Sequence, residues 1–226
     1  MSALRVGVLA SGAGTNLQSI LDSVHGRDGI EVVGVLSDRA DAGALARAAA
    51  AGVETGVFGL GAQAGGSRAP AGRSGAQAGG PGADRAARDA AMADWLAERD
   101  VGLVVLAGYM QLLDPVFLDR FPRAVINVHP ALLPAFPGLD AIGQALDYGV
   151  RVFGVTVHFV DEGVDSGPVI LQRGVELPQA HTREQVHDAL RPIEHALLPQ
   201  AIRLVAARRL SFDPDNPRRV VIAPPD

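Results

Sequence analysis

Asn127 and His129 stand two residues apart in Val125-Ile126-Asn127-Val128-His129-Pro130. The flanking Val and Ile residues read as a short buried strand, and Pro130 has no N–H to give to a sheet ladder, so the strand ends there. Strand side chains alternate between faces, which puts the amide of Asn127 and the imidazole of His129 side by side at the strand's C-terminal end. In open α/β sheets, ligands bind at that end. A hydrogen-bond donor beside an imidazole suits a ligand site, but Asn-x-His is short enough to arise by chance, and taken alone it favours a satisfied Asn with a core His. The other elements have to decide.

A second stretch with chemical content lies near the N-terminus. Leu4 to Ala10 is an apolar run typical of an interior parallel strand, and Leu17, Ile20, Leu21 and Val24 recur at helical spacing. Between them, Ser11-Gly12-Ala13-Gly14-Thr15-Asn16 forms a glycine loop that exposes backbone N–H groups at a helix N-terminus, where an anion is favoured. The loop lacks the Lys of a Walker motif, and Leu17 stands where the dinucleotide fingerprint has its third Gly. It suits a phosphate monoester better than ATP or NAD.

Between these sites, strands and helices alternate. Strands are expected at Glu31–Ser37, Thr55–Phe58 and Val101–Ala107, and helices at Ala44–Ala51 and Asp84–Arg99, with a short one around Pro115–Arg120. That alternation predicts a Rossmann-like α/β fold: an open, mostly parallel twisted sheet flanked by helices. The loop Gly108 to Leu113 then opens on the same sheet edge as Asn127 and His129. Farther on, Ala141–Tyr148 reads as helix, and Val152–Val160 with Val169–Gln172 as a C-terminal hairpin around the acidic turn Asp161 to Pro168. Thr182-Arg-Glu-Gln185 is a capping box that opens a long helix to about Arg209, kinked or broken at Pro192.

Residues 59–83 interrupt the pattern. Gly61-Ala-Gln-Ala-Gly-Gly66 recurs as Gly75-Ala-Gln-Ala-Gly-Gly80, and a Gly/Ala repeat without large side chains reads as a flexible surface insertion. Residues 211–226 read as a peripheral strand or tail. A net charge of −5 argues against an extensive nucleic-acid surface. The absence of Cys removes disulfides, thiolate catalysis and Cys-based zinc sites. With no signal peptide and no apolar run near the roughly 20 residues of a membrane span, a soluble cytoplasmic protein is expected.

Four segments together are similar to a known family. Ser11-Gly-x-Gly-Thr-Asn16, Leu106-Ala-Gly-Tyr-Met110, Asn127-Val-His-Pro-x-Leu-Leu-Pro134 and Asp165-Ser-Gly-Pro-Val-Ile-Leu-Gln172 resemble the folate-dependent formyltransferases, specifically those that act on phosphoribosylglycinamide in purine biosynthesis. The resemblance covers roughly residues 4–205. It implies one formyltransferase domain over 1–226, with a phosphate-binding half at about 1–100 and a folate and catalytic half at about 101–210. The implied reaction moves a formyl group from 10-formyltetrahydrofolate, as co-substrate, to the glycinamide amine, without a metal. Asn127 and a protonated His129 would stabilise the oxyanion, while Asp165 would raise the His129 pKa and relay a proton.

By position, the resemblance assigns Ala13, Gly14, Thr15, Asn16 and Glu194 to the ribose phosphate. Arg85, Met110, Gln111, Leu112, Leu113, Asn127, Glu162 and Asp165 fall to the folate. The partners implied are small molecules only, with no nucleic acid and no membrane, in a monomer or homodimer. The chain departs from the family pattern at Ala131, where Ser is common, at Gln111, where Arg is frequent, and at Asp140, which would repel an anionic substrate. The rivals are a 10-formyltetrahydrofolate hydrolase, with water as acceptor, and a non-catalytic folate- or nucleotide-binding module. Of the other histidines, His158 alternates with Val157 and Phe159 and reads as a core or supporting group. His195 stands next to Glu194.

Overall fold

The computed structural model describes residues 3–59 and 81–225. Residues 60–80, most of the Gly/Ala insertion expected over 59–83, lie outside the described residues. The elements in chain order are β1 Leu4–Leu9, α1 Thr15–Ser23, β2 Ile30–Ser37, α2 Gly43–Ala50, β3 Glu54–Val57, α3 Pro81–Ala97, β4 Leu103–Leu106 and α4 Pro115–Leu118. There follow β5 Val125–His129, α5 Ala141–Tyr148, β6 Val152–Phe159, β7 Val169–Glu176, α6 Arg183–Ala206, β8 Leu210–Phe212 and β9 Val220–Ile222.

Seven strands form one sheet in the order β3-β2-β1-β4-β5-β6-β7. The strands from β3 to β5 pair in parallel, and β6 runs antiparallel to both β5 and β7. This is the expected mostly parallel sheet with its hairpin. Strand alternation sorts the apolar side chains into two cores. Val6, Val8, Val105 and Ile126 pack with Leu17, Ile20 and Leu198 from α1 and α6, whereas Leu9, Leu36, Leu106 and Val125 pack with Met92, Leu96 and Phe117 from α3 and α4. Leu17 and Ile20 are fully buried, which contributes about 1.5–3 kcal/mol each.

The chain order reverses between β1 and β4, so their C-terminal loops open a crevice at the switch point. The two loops are stitched together there: Ser11 N donates to Gly108 O at 3.0 Å, and Met110 N donates to Ser11 Oγ at 2.9 Å.

Three expectations are corrected or narrowed. Helix α6 runs from Arg183 to Ala206 through both Pro192 and Pro199, so of the kink or break expected at Pro192 the break does not occur. Each Pro removes one backbone donor, but buried Leu190, Leu197, Leu198 and Ile202 hold the helix to the sheet on either side. Helix α3 starts at Pro81, three residues ahead of Asp84, a position where Pro lacks only a donor that the first turn leaves unpaired anyway. Of the peripheral strand or tail expected over 211–226, the structure has strand: β8 pairs with β9, and this hairpin docks against the ends of β6 and β7.

Candidate active site

Asn127 and His129 share one face of β5 with Val125, and both reach past the covering helices to the sheet edge. Antiparallel register sets His158 of β6 directly opposite Asn127. The turn between β6 and β7 brings Asp165 over all three. Its Oδ2 lies 3.3 Å from His129 Nδ1, and its Oδ1 accepts from Asn127 Nδ2 at 3.3 Å and lies 3.5 Å from His158 Nε2. Gly138 N donates to Asp165 Oδ2 at 2.8 Å.

Burial of the Asp165 carboxyl works to raise its pKa. The His158 hydrogen bond, the Gly138 N–H and the positive potential of both imidazoles act the other way and prevail, so the group stays below its ordinary range and is ionised at neutral pH.

The two histidines have different roles in this network. The Phe136 carbonyl oxygen, 2.8 Å from His129 Nε2, can only accept, so Nε2 carries a proton. With Nδ1 facing a carboxylate, both ring nitrogens of His129 meet acceptors, a setting that the imidazolium satisfies in full. His158 Nδ1 donates to Phe159 O at 2.8 Å, and its Nε2 faces both Asn127 Nδ2 at 3.2 Å and Asp165 Oδ1 at 3.5 Å. Both donors expected at the oxyanion are therefore held by protein acceptors here. Any incoming acceptor has to displace Phe136 O or an Asn127 partner to reach them.

The loop after β5 is fixed from below. Thr156 Oγ donates to Ala131 O at 2.7 Å and accepts from Leu133 N at 3.1 Å, while Gln172 Nε2 donates to Leu133 O at 2.8 Å. Ala131 itself is buried.

The glycine loop opens on the same edge, at the start of α1. Gly14 has φ +75°, and a Cβ there would sit 2.6 Å from Ala44 Cα, so no other residue fits. Ala13 and Thr15 are exposed, and Asn16 is buried. Asn16 Nδ2 donates to the buried Glu194 Oε2 at 2.9 Å, whereas Asn16 Oδ1 is buried without a partner. An unsatisfied acceptor beside an anion loop fits a ligand that brings a hydroxyl or amine. Arg47 of α2 donates from Nε to Ala13 O at 2.9 Å and from Nη1 to Gln18 at 3.0 Å, adding a cation to the loop. Thr15, Gln18, Arg47 and His195 line a cavity of about 370 Å³ next to it. Burial lowers the His195 pKa, Arg191 lowers it further, and Glu194 only partly opposes them.

The expected folate residues divide. Met110 and Leu112 are 61% and 59% exposed on the loop after β4. Leu113 instead packs into the core on the α3 face, and Gln111 Nε2 is held by Asp38 Oδ2 at 3.0 Å. Arg85 pairs with Asp114 at 3.5 Å, near this loop. Beneath it lies a buried pair missed in the sequence: Arg88 meets Asp89 at 2.7 Å and donates to Leu112 O at 3.2 Å. Glu162 is exposed, and Asp161 serves the turn by accepting from Ser166 Oγ at 2.7 Å and Gly163 N at 3.1 Å. Asp140 is paired with Arg183 Nε at 2.9 Å, so the expected repulsion of an anionic substrate is largely cancelled.

His158 and Arg47 are side chains at the candidate site that sequence reasoning placed too low or missed. The signal for His158 was its inward position in Thr156-Val-His-Phe159; for Arg47 it was a lone charge in an Ala-rich helix.

Comparison with known proteins agrees with this geometry. The profile of the Formyl transferase family matches residues 4–202. Phosphoribosylglycinamide formyltransferase of Mycobacterium tuberculosis is 39% identical over 205 residues, spanning 89% of this chain and 85% of that protein. The enzyme of the same name from Bacillus subtilis is 43% identical over 120 residues, 53% of this chain and 62% of that protein, so this match spans less than two thirds of the relative. The crystal structure of glycinamide ribonucleotide transformylase 1 from Symbiobacterium toebii superposes with a TM-score of 0.84 at 44% identity, covering 98% of this chain and 95% of that one. The chain belongs to the formyl transferase family.

Proposed function

We propose that this chain transfers the formyl group of 10-formyltetrahydrofolate to the glycinamide amine of 5'-phosphoribosylglycinamide, a step of purine biosynthesis. The observation that carries this reading is one sheet edge that holds both an anion loop with an orphaned acceptor and the Asn127, His129 and Asp165 group. A substrate anchored by its phosphate at Gly14 presents its amine toward Asp165 along the crevice between β1 and β4. The reading includes small-molecule substrates only, a cytoplasmic setting and a monomer or homodimer; among the described residues no helix is long and apolar enough to cross a membrane.

The amine nitrogen attacks the formyl carbon, and the formyl oxygen takes up the negative charge. Asn127 Nδ2 and the His129 imidazolium donate to that oxygen, each worth about 2.7–4 kcal/mol of barrier. Asp165, held ionised by its neighbours, faces His129 Nδ1 and receives the amine proton directly or through one water. Collapse of the tetrahedral adduct breaks the bond to the folate nitrogen, which leaves with the proton that Asp165 took from the amine and passes on. No covalent enzyme intermediate is needed. His158 holds Asn127 and Asp165 in register, and Arg47 adds charge to the phosphate loop.

The test supplies the formyl donor with glycinamide ribonucleotide and follows formylated product against formate. Product formation at a rate well above formate release supports the reading. Rapid formate release without product would transfer the assignment to the hydrolase, and binding without either would leave a folate-binding module.

A further inference from the structure

The C-terminal hairpin begins beyond residue 202, where the family match ends, yet it docks on the turn that carries Asp165. The Phe212 ring lies 5.2 Å from that of Phe159, the last residue of β6, and the Arg123 guanidinium lies 4.3 Å from the Phe212 ring centroid. Arg219 forms a parallel bridge with Val169, the first residue of β7. Between these two anchors, Arg218 Nη2 donates to the carbonyl oxygen of Ser166, next to Asp165.

The turn is shaped from within and located from outside. Asp161 accepts from Gly163 N and Ser166 Oγ, and Gly167 crosses the Phe159 carbonyl so closely that any Cβ would overlap it. Asp165 itself has φ +49°, a left-handed conformation that a non-Gly residue keeps only where its surroundings impose it. Gly138 N and Asn127 Nδ2 hold Asp165 on the site side of the turn, and on the outer side Arg218 holds the Ser166 carbonyl beside the Arg219–Val169 bridge.

We propose that Arg218 is a positioning residue for the reaction: by gripping the Ser166 carbonyl it fixes the Asp165 carboxylate against Asn127 and His129. The inference rests on the catalytic reading above and extends the machinery to the C-terminal hairpin. Arg218 is exposed and meets no substrate by this reading, so its effect falls on turnover rather than binding.

The test compares Arg218→Met, which keeps the aliphatic stem and removes the donors, with Arg218→Lys, whose ammonium can reach the same carbonyl. For the Met variant, kcat falls about tenfold, as expected when a reacting group is slightly misplaced, while KM for both substrates stays within about twofold. The melting temperature moves by only ~2 °C, the range of a surface substitution. The Lys variant recovers most of the lost turnover. Wild-type kcat in the Met variant, or a loss that Lys does not restore, overturns the proposal. Should the Met variant fail to fold, Arg218→Gln takes its place with the same criteria. A wild-type chain that transfers no formyl group removes the function itself; one that does, beside an unaffected variant, removes only Arg218.

Discussion

Replacing Asp165 by Asn removes one negative charge from the centre of the site and keeps an oxygen that can still accept from Gly138 N. The carboxylate faces His129 Nδ1 at 3.3 Å, and opposite unit charges at that distance attract by about 5 kcal/mol at an effective dielectric constant of about 20. The net worth of a charge-assisted hydrogen bond, after desolvation, is about 1.5–3 kcal/mol. The loss in the transition state lies between these bounds, at about 3–4 kcal/mol, which lowers kcat by roughly two to three orders of magnitude. The assay measures formylated product at saturating concentrations of both substrates, with a thermal melt to show that the variant is folded. Turnover within about threefold of wild type, in a folded variant, would refute the role given to this carboxylate.

The same substitution has a pH signature. The Asp165 pKa is lowered in the fold from 3.8, so the ionised group contributes stability that is complete above that value and is lost as pH falls through the lower folded-state value. The gap in melting temperature between wild type and the Asn variant should stay level from neutral pH down to about 4 and close below it. A gap that closes between about pH 7 and 5 would assign the titration to another group.

Asn127→Ala removes the donor shared between Asp165 and His158 and should lower kcat about a hundredfold or more, with KM little changed, in the same product assay. Gly14→Ala forces a Cβ to within 2.6 Å of Ala44 Cα in a left-handed backbone; it should destabilise the fold by about 1–3 kcal/mol in denaturant titrations and abolish saturation by the ribose phosphate substrate. Arg47→Met should raise KM for that substrate about tenfold and spare kcat, and an unchanged KM in steady-state kinetics would remove Arg47 from the phosphate site.

The elements were legible wherever local periodicity or local chemistry decides structure. Alternation in Val125 to His129 placed Asn127 and His129 on one face, the apolar runs located β1, β2 and β4, and the box Thr182 to Gln185 marked the start of α6. Pro192 left a kink or a break open for the opposite reason: its local cost was plain in the chain, whereas the surfaces against which Leu190, Leu197, Leu198 and Ile202 pack lie on other elements.

Tertiary structure alone decided the pairings. His158 joined the site only because β6 runs antiparallel to β5 in a register that sets it against Asn127. Asn16 meets Glu194 across 178 positions, Asp140 finds Arg183 across 43, and Arg218 reaches Ser166 across 52. Periods of two and 3.6 residues are imprinted on the sequence because each residue sees its near neighbours, so faces, caps and the glycine loop can be read there. Partners brought together by crossovers and loop closure carry no such local trace, and for that reason the charge of Asp140 read as a repulsive site and the hairpin as a peripheral strand or tail.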